Sequence, residues 1–579
     1  MLNVRLLNRK LSVYSLIAIA IIALAMSLRL ILILLHWPAT NSDEGIMAII
    51  ANDIAYHGKF PLMFYGQDYM GVIEAYLGAL FYHLTGGPSI TALRLGVILL
   101  IGLFFIVMYR LTSLIYSQKM ALITLAFLSF STLSYVGRLV LATGGSAETL
   151  LFGSLSFLVA AYLSYTYERQ ASIRTRLLRL PGYLLFGIIV GLGIWSDMVG
   201  LSLYLMSTLL LVIFCWREIF IWGGWLIGLL GGAIGLLPTI IYSLQIGTSP
   251  IADLLGKAET PPINATAEQL SLWHKIVETF QVSLPTATSS PFCPVIEYPF
   301  MGDNTQRTLS CGIIQSSWSI GYVLLIIASI IITILALKQL RKNQEGLSAL
   351  EQHKKRVIYV TRLCMLGAAI LSLLIYINSA GPVNQPGYHA RYIISLVVIT
   401  PAILAPLYNA ARHLRSELKW ARFRLYGSRA ILVALAVIFI AGTYIAFMEV
   451  PRAQAASDRR EHLIKQLTAL HVTYLYTDYW TCYNLVVATM NTKHPIICAV
   501  IDDQLSNKHN RIKSFEIAVD KSKRPPFMCA KDLSLTTKDT YNCLPEAAAQ
   551  ANKTNSKIGH YFVRHDLDGY VLYRAEPKS

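Results

Sequence analysis

Eleven long apolar stretches constrain this chain more than any other feature: roughly 11–35, 89–114, 120–136, 146–166, 182–198, 199–216, 219–244, 317–338, 358–378, 389–411 and 428–448. A helix crosses the hydrocarbon layer with about 20 apolar residues. Only 14% of the 579 residues are charged, against about 25% in soluble chains. A water-soluble enzyme and a disordered chain are both excluded. The excess of 49 Lys and Arg over 32 Asp and Glu lies mainly in short loops between apolar runs, which argues against a nucleic-acid partner. The predicted fold class is an α-helical polytopic membrane protein of about 11 transmembrane helices, with a small C-terminal α/β domain.

Loop charge orients the helices. With the N-terminus inside, the inner segments hold most of the loop cations, among them Arg5, Arg9, Lys10, Arg174, Arg176 and Arg179. The outer loops hold few: Lys59, Arg138, Lys257, Lys275, Arg307 and Arg391. The N-terminus is therefore expected in the cytoplasm, and an odd number of spans puts 449–579 outside. Cysteine placement agrees, with Cys293 and Cys311 in one outer loop and Cys482, Cys498, Cys529 and Cys543 in the tail. Even numbers of thiols in oxidising segments favour disulfides; the four in the tail permit three pairings.

The expected organisation is a transmembrane catalytic domain over 1–448 and an extracytoplasmic α/β domain over 449–579. Within the first lie two long outer loops, 36–88 and 245–316. Ser42–His57 and Met70–Leu84 pattern as interfacial helices lying in the headgroup plane, with a turn at Gly66-Gln67-Asp68-Tyr69. The loop 245–316 is rich in Pro, with one helix near Glu268–Phe280. In the tail, helices at Asp458–Leu470 and Asn484–Met490 alternate with strands at Val472–Tyr476 and Pro495–Ile501, followed by a strand or hairpin at Tyr561–Tyr573.

The candidate chemistry gathers on the outer side. Asp43 and Glu44 follow the first span, where two carboxylates can serve as a general base or hold a cation. They can equally cap a helix, since Asn41, Ser42 and Asp43 all suit an N-cap. Arg29 lies inside the first span, and an intramembrane Arg is costly and by default functional. Glu148 opens the fourth span, and Asp197 closes the fifth. Separate helices thus bring charge to one face, which capping alone does not predict. Arg391, in Gly387-Tyr388-His389-Ala390-Arg391-Tyr392, breaks the charge trend and suits a phosphate ligand.

Arg29, Asp43-Glu44, the segment Phe64-Tyr65-Gly66-Gln67-Asp68-Tyr69-Met70-Gly71 leading to Glu74, Ala92-Leu93-Arg94-Leu95, and Arg391-Tyr392 together resemble the GT-C superfamily of polyprenyl-phosphate-sugar glycosyltransferases. The closest branch is family 39-like, the protein O-mannosyltransferase and aminoarabinose transferase group, and the likeness covers about 10–410. The resemblance implies an inverting transfer at the extracytoplasmic face of a bacterial cell membrane. Asp43 is then the general base and Glu44 orients acceptor or sugar hydroxyls. Arg391 holds the leaving phosphate beside Tyr392, with Arg138 or Arg94 as helpers. Gln67 and Tyr69 line the sugar pocket, and Glu148 matches a second acidic position loosely, which leaves a divalent metal open and not required. Partners are a polyprenyl-phosphate sugar donor, the bilayer, and a protein, lipid or glycan acceptor. Asp43→Asn should abolish transfer and Asp53→Asn should be nearly silent. Competing readings are a metal-using oligosaccharyltransferase or polymerase built on Glu44 and Glu148, a lipid or glycan transporter, and a non-catalytic assembly subunit.

Overall fold

The computed structural model describes residues 12–247, 266, 268, 270–290, 292–293, 308–342, 348–383, 385–412, 419–501, 510–523, 525–530 and 562–575. Among them, nine helices are long and apolar enough to cross a membrane, and ten if one pair bent by 60° is a single broken span. The chain is a multi-pass membrane protein.

Helix α1 is Val13–Leu34. Helices α2 (Ser42–Tyr56) and α3 (Ile73–Thr85) form the first long loop. Then come α4 (Ile90–Ile115), α5 (Gln118–Ser129), α6 (Leu133–Arg138) and α7 (Ser146–Tyr165). Helices α8 (Leu180–Ser196) and α9 (Leu201–Trp216) precede the bent pair α10 (Gly224–Gly235) and α11 (Leu237–Ile246). After α12 (Leu272–Glu278), the remaining spans are α13 (Leu309–Lys342), α14 (Ala349–Asn378), α15 (Pro386–Arg412) and α16 (Lys419–Met448).

The third apolar stretch departs from expectation. A 12-residue helix spans about 18 Å at 1.5 Å per residue, too short to cross alone. Its end at Ser129 is met by Arg29, which donates from Nη1 to the Ser129 carbonyl at 3.3 Å and from Nη2 to the Leu128 carbonyl at 3.4 Å. Arg29 also reaches the Ala25 carbonyl at 3.1 Å and lies over the Phe105 ring. A cation on the final carbonyls of a helix satisfies acceptors that the helix itself cannot. Arg29 is thus a helix-end cap inside the protein, not a substrate ligand. Arg29→Met should lower the melting temperature in detergent while leaving activity per folded molecule unchanged.

The two loop helices form where the pattern places them, but α2 does not lie on a membrane surface. Every residue from Ser42 to Asp53 is buried. Its polar residues face protein groups: Asp53 takes Lys59 at 3.1 Å, His57 at 3.1 Å and the Tyr65 hydroxyl at 2.7 Å. Asn41 is the N-cap, accepting the Glu44 N–H at 2.9 Å, so Asp43 and Glu44 sit in the first turn and are free of the capping task.

The described part of the second long loop is ordered. Helix α12 continues through a wide turn to Ala287. Ser283 bonds the Tyr376 hydroxyl at 2.9 Å and the Pro386 carbonyl at 3.0 Å, and Cys293 is disulfide-bonded to Cys311.

Beyond α17 (Val450–Ala469) the tail folds as a five-stranded sheet in the order β2-β1-β3-β5-β4. The strands are β1 (Tyr474–Thr477), β2 (Ile497–Val500), β3 (Phe527–Ala530), β4 (Phe562–Leu567) and β5 (Tyr570–Ala575). β1 pairs in parallel with β2 and β3, while β5 pairs antiparallel with β3 and β4. Parallel neighbours need crossovers, supplied by α18 (Tyr479–Thr489) and α19 (Lys513–Lys521). The pattern reading missed α19 and β3, since a four-residue strand carries too little periodicity to stand out. Cys482 is bonded to Cys498, and Cys529 is disulfide-bonded as well; Cys543 lies outside the described residues.

Candidate active site

The sheet domain seats α18 on the first turn of α2. Gly45 makes this approach feasible, because a Cβ there would stand 2.7 Å from the Tyr483 carbonyl oxygen. Ser42 donates to the Tyr479 carbonyl at 2.5 Å, and the Tyr479 hydroxyl donates to Asp43 Oδ1. Burial and the adjacent Asp43 carboxylate raise the Tyr479 phenol well above its ordinary range. The turn at Gly66, with φ +68, closes against Arg511, whose Nη1 donates to the Gly66 carbonyl at 2.7 Å. A side chain at 66 would be strained by that φ and would collide with Arg511. Asp68 is tied to α11 by the Tyr242 hydroxyl at 2.6 Å, which fixes the turn carrying Gln67 and Tyr69.

Opposite Asp43 stands the start of α15, wound as a tighter 3-10 helix over Ala390–Ile399. Arg391 lies over the rings of Tyr388 at 4.3 Å and Tyr392 at 5.1 Å and donates to the Tyr392 hydroxyl at 3.2 Å. Among the described residues no carboxylate stands within salt-bridge distance of Arg391, and its Nε has no hydrogen-bond partner. A cation pre-aimed at aromatic faces with a spare donor suits an anionic group in a partly dry pocket. Arg138 donates to the carbonyls of Tyr388 at 2.9 Å and Gly387 at 3.3 Å, so it holds the turn that presents Arg391 and adds a second positive charge. Tyr69 joins this group. Burial first, then the Tyr392 phenol, push it up to about 12, with Arg391 and Arg511 opposing.

Two further expected site residues are occupied elsewhere. Glu44, fully buried, receives Arg94 Nε at 2.8 Å and Nη2 at 2.7 Å, and also the Ala142 N–H at 3.1 Å. Both of its oxygens are engaged, and the Arg94 guanidinium faces Glu44, not a phosphate. Glu44 and Arg94 therefore act by tying α2 to α4 beneath Asp43. Glu148 sits beside Glu74, which accepts the Gly144 N–H at 2.8 Å. Burial and the neighbouring Glu148 raise the Glu74 carboxyl well above the carboxylate range. An acid whose folded pKa is raised loses stability as pH climbs past its ordinary value of 4.5 toward the folded one. Glu74→Gln should flatten that decline in thermal scans between acid and alkaline buffers.

An apolar cavity of about 570 Å³ lies along the later part of the 3-10 segment that carries Arg391. Tyr135, Ser131, Trp318, Leu396 and Leu404 are among its walls. Leu396 belongs to the same 3-10 segment as Arg391, five residues on, or about 10 Å at 2.0 Å per residue.

No family model and no curated protein matches the chain. Among solved structures, ArnT from Cupriavidus metallidurans bound to undecaprenyl phosphate shares 13% identity over 98% of this chain and 98% of that chain, with a TM-score of 0.50. The fold is GT-C. The apo state of the same ArnT gives 13% identity, 97% and 99% coverage, and a TM-score of 0.50. The archaeal oligosaccharyltransferase AglB from Archaeoglobus fulgidus, in complex with an inhibitory peptide and a dolichol-phosphate, gives 13% identity, 96% and 74% coverage, and a TM-score of 0.46.

On this GT-C scaffold, a metal held by Glu44 and Glu148 does not fit the donor set. Glu44 is spent on Arg94 and Ala142, and among the described residues no three His, Cys, Asp or Glu side chains are disposed to hold an ion. Tyr479 and Arg511 were missed by sequence reasoning. They lie in the polar tail more than 400 residues from Asp43 in sequence, and no motif marks either.

Proposed function

We propose that this protein is a membrane glycosyltransferase moving a sugar from a polyprenyl-phosphate donor to an acceptor hydroxyl at the extracytoplasmic face, with inversion. One pairing carries the reading: Asp43, held by the Tyr479 hydroxyl, supplies a carboxylate, and Arg391, with an unpartnered Nε beside Tyr388 and Tyr392, supplies a cation for an anionic group. Asp43 takes the acceptor proton as the acceptor oxygen bonds to the anomeric carbon. The bond from that carbon to the phosphate oxygen breaks, and its electron pair leaves with the lipid phosphate. Arg391 stabilises the charge that develops there, as fixed cations in a desolvated site do. Arg138, behind it, supports the same potential. Gln67 and Tyr69, on the turn that Arg511 closes at Gly66, contact the sugar in this reading. The apolar cavity offers the isoprenoid chain a place out of water, and the structural neighbour ArnT holds undecaprenyl phosphate.

Binding of undecaprenyl phosphate tests this directly. Native mass spectrometry of the full chain should show one bound lipid. Arg391→Ala should weaken binding by about 10–150-fold, the worth of a hydrogen bond to a charged group. Equal retention by Arg391→Ala and the parental protein would remove the phosphate assignment.

A further inference from the structure

The carboxylate proposed as base is already engaged by the sheet domain. Tyr479 reaches Asp43 from the first turn of α18, and that turn is firmly built. Asp478 caps it by accepting the Thr481 N–H at 3.0 Å. The Cys482–Cys498 bond pins it to β2. Trp480 packs edge-on to the Tyr479 ring, and the Arg511 guanidinium lies 5.6 Å from the ring centroid. Asp43 itself is 8% exposed. An acceptor hydroxyl has to donate to this same carboxylate, whose Oδ1 the phenol O–H now holds.

We infer that Tyr479 is a positioning residue that stands in for the acceptor hydroxyl at Asp43, keeps water off the base until an acceptor displaces it, and thereby sets transfer against hydrolysis of the donor. The inference rests on the sugar-transfer reading for its second half only; capping of Asp43 stands apart from any substrate. The side reaction it suppresses is balanced: a water oxygen bonds to the anomeric carbon, one water proton passes to Asp43, and the carbon–oxygen bond to phosphate breaks with its electrons. The phenol does not compete as nucleophile, because burial beside a carboxylate keeps it protonated. Tyr479→Phe removes one oxygen and leaves room and a hydrogen-bond acceptor for a single water.

The full-length protein in detergent serves for the test. Carbodiimide with glycine ethyl ester labels exposed carboxylates, and peptide mass spectrometry reads the rate at Asp43. In Tyr479→Phe that rate should rise about tenfold, the factor a hydrogen bond to a charged group typically represents. Arg511→Ala, which removes the side-chain hydrogen bond between Arg511 and the Tyr479 phenol and so loosens the cap, should raise it as well. Undecaprenyl-phosphate mannose, glucose and aminoarabinose, supplied without acceptor, should release free sugar about tenfold faster in Tyr479→Phe by the same factor. The double variant Asp43→Asn/Tyr479→Phe should release none above background. Unchanged labelling in both single variants overturns the capping role, whatever the enzyme does. Faster labelling without faster sugar release, while the parental protein cleaves a donor slowly, overturns the control of hydrolysis. If no variant cleaves any of the three donors, the sugar-transfer reading and the hydrolysis half fall together, and labelling alone decides the cap.

Discussion

Asp43→Asn should fold, insert and keep its contact with the sheet domain, yet transfer sugar about 10²–10⁴-fold more slowly, the span that general-base catalysis typically contributes. An amide retains an oxygen to accept the Tyr479 hydroxyl, so the docking of α18 on α2 survives. What it loses is the capacity to take a proton. The measurement is turnover of a polyprenyl-phosphate sugar per folded molecule, alongside the melting temperature. A parental rate from the variant would end the base assignment. Asp53→Asn is the matched comparison on the same helix. Asp53 holds Lys59 and Tyr65, so its loss is not silent for stability, costing about 1 kcal/mol by weakening those bonds. It is well along α2 from the pocket, and transfer should be unaffected.

Arg94→Ala should have the largest effect on stability, about 3–5 kcal/mol, because it strands a buried carboxylate without its partner. Both side chains are sealed, at 2% and 0% exposure, so solvent does not relieve the charge. Arg94→Lys should rescue little, since an ammonium cannot reproduce the two-pronged contact with Glu44. Replacing both members by Met removes both charges and should recover most of the loss. Thermal unfolding of the three variants in one detergent reads the series. If Arg94→Ala melts like the parental protein, the pair is not what secures α2 against α4.

The spans were legible because burial in lipid leaves a signal in composition that needs no partner: long apolar runs separated by basic loops. So were the ends of α2 and α3, where turn and cap residues bracket periodic segments. The buried state of α2 was not legible. A helix with Asp43, Glu44, Asn52 and Asp53 among isoleucines reads as half-wet, and only the tertiary fold supplies partners such as Arg94 and Lys59 that let it go dry. Arg29 and Arg94 illustrate the same limit. A lone cation inside an apolar run announces that something pairs with it but not what, and here the partners are the open end of α5 and Glu44.

Membrane insertion, the loop helices and the Cys293–Cys311 pairing follow from the order of side chains along the chain, because each depends on local pattern or on charge per segment. The sheet domain's part in the pocket does not. Tyr479 and Arg511 meet Asp43 and Gly66 only after the chain has crossed the membrane repeatedly and returned. Such a long-range contact is selected by the packing of whole elements, whose geometry no local sequence window contains.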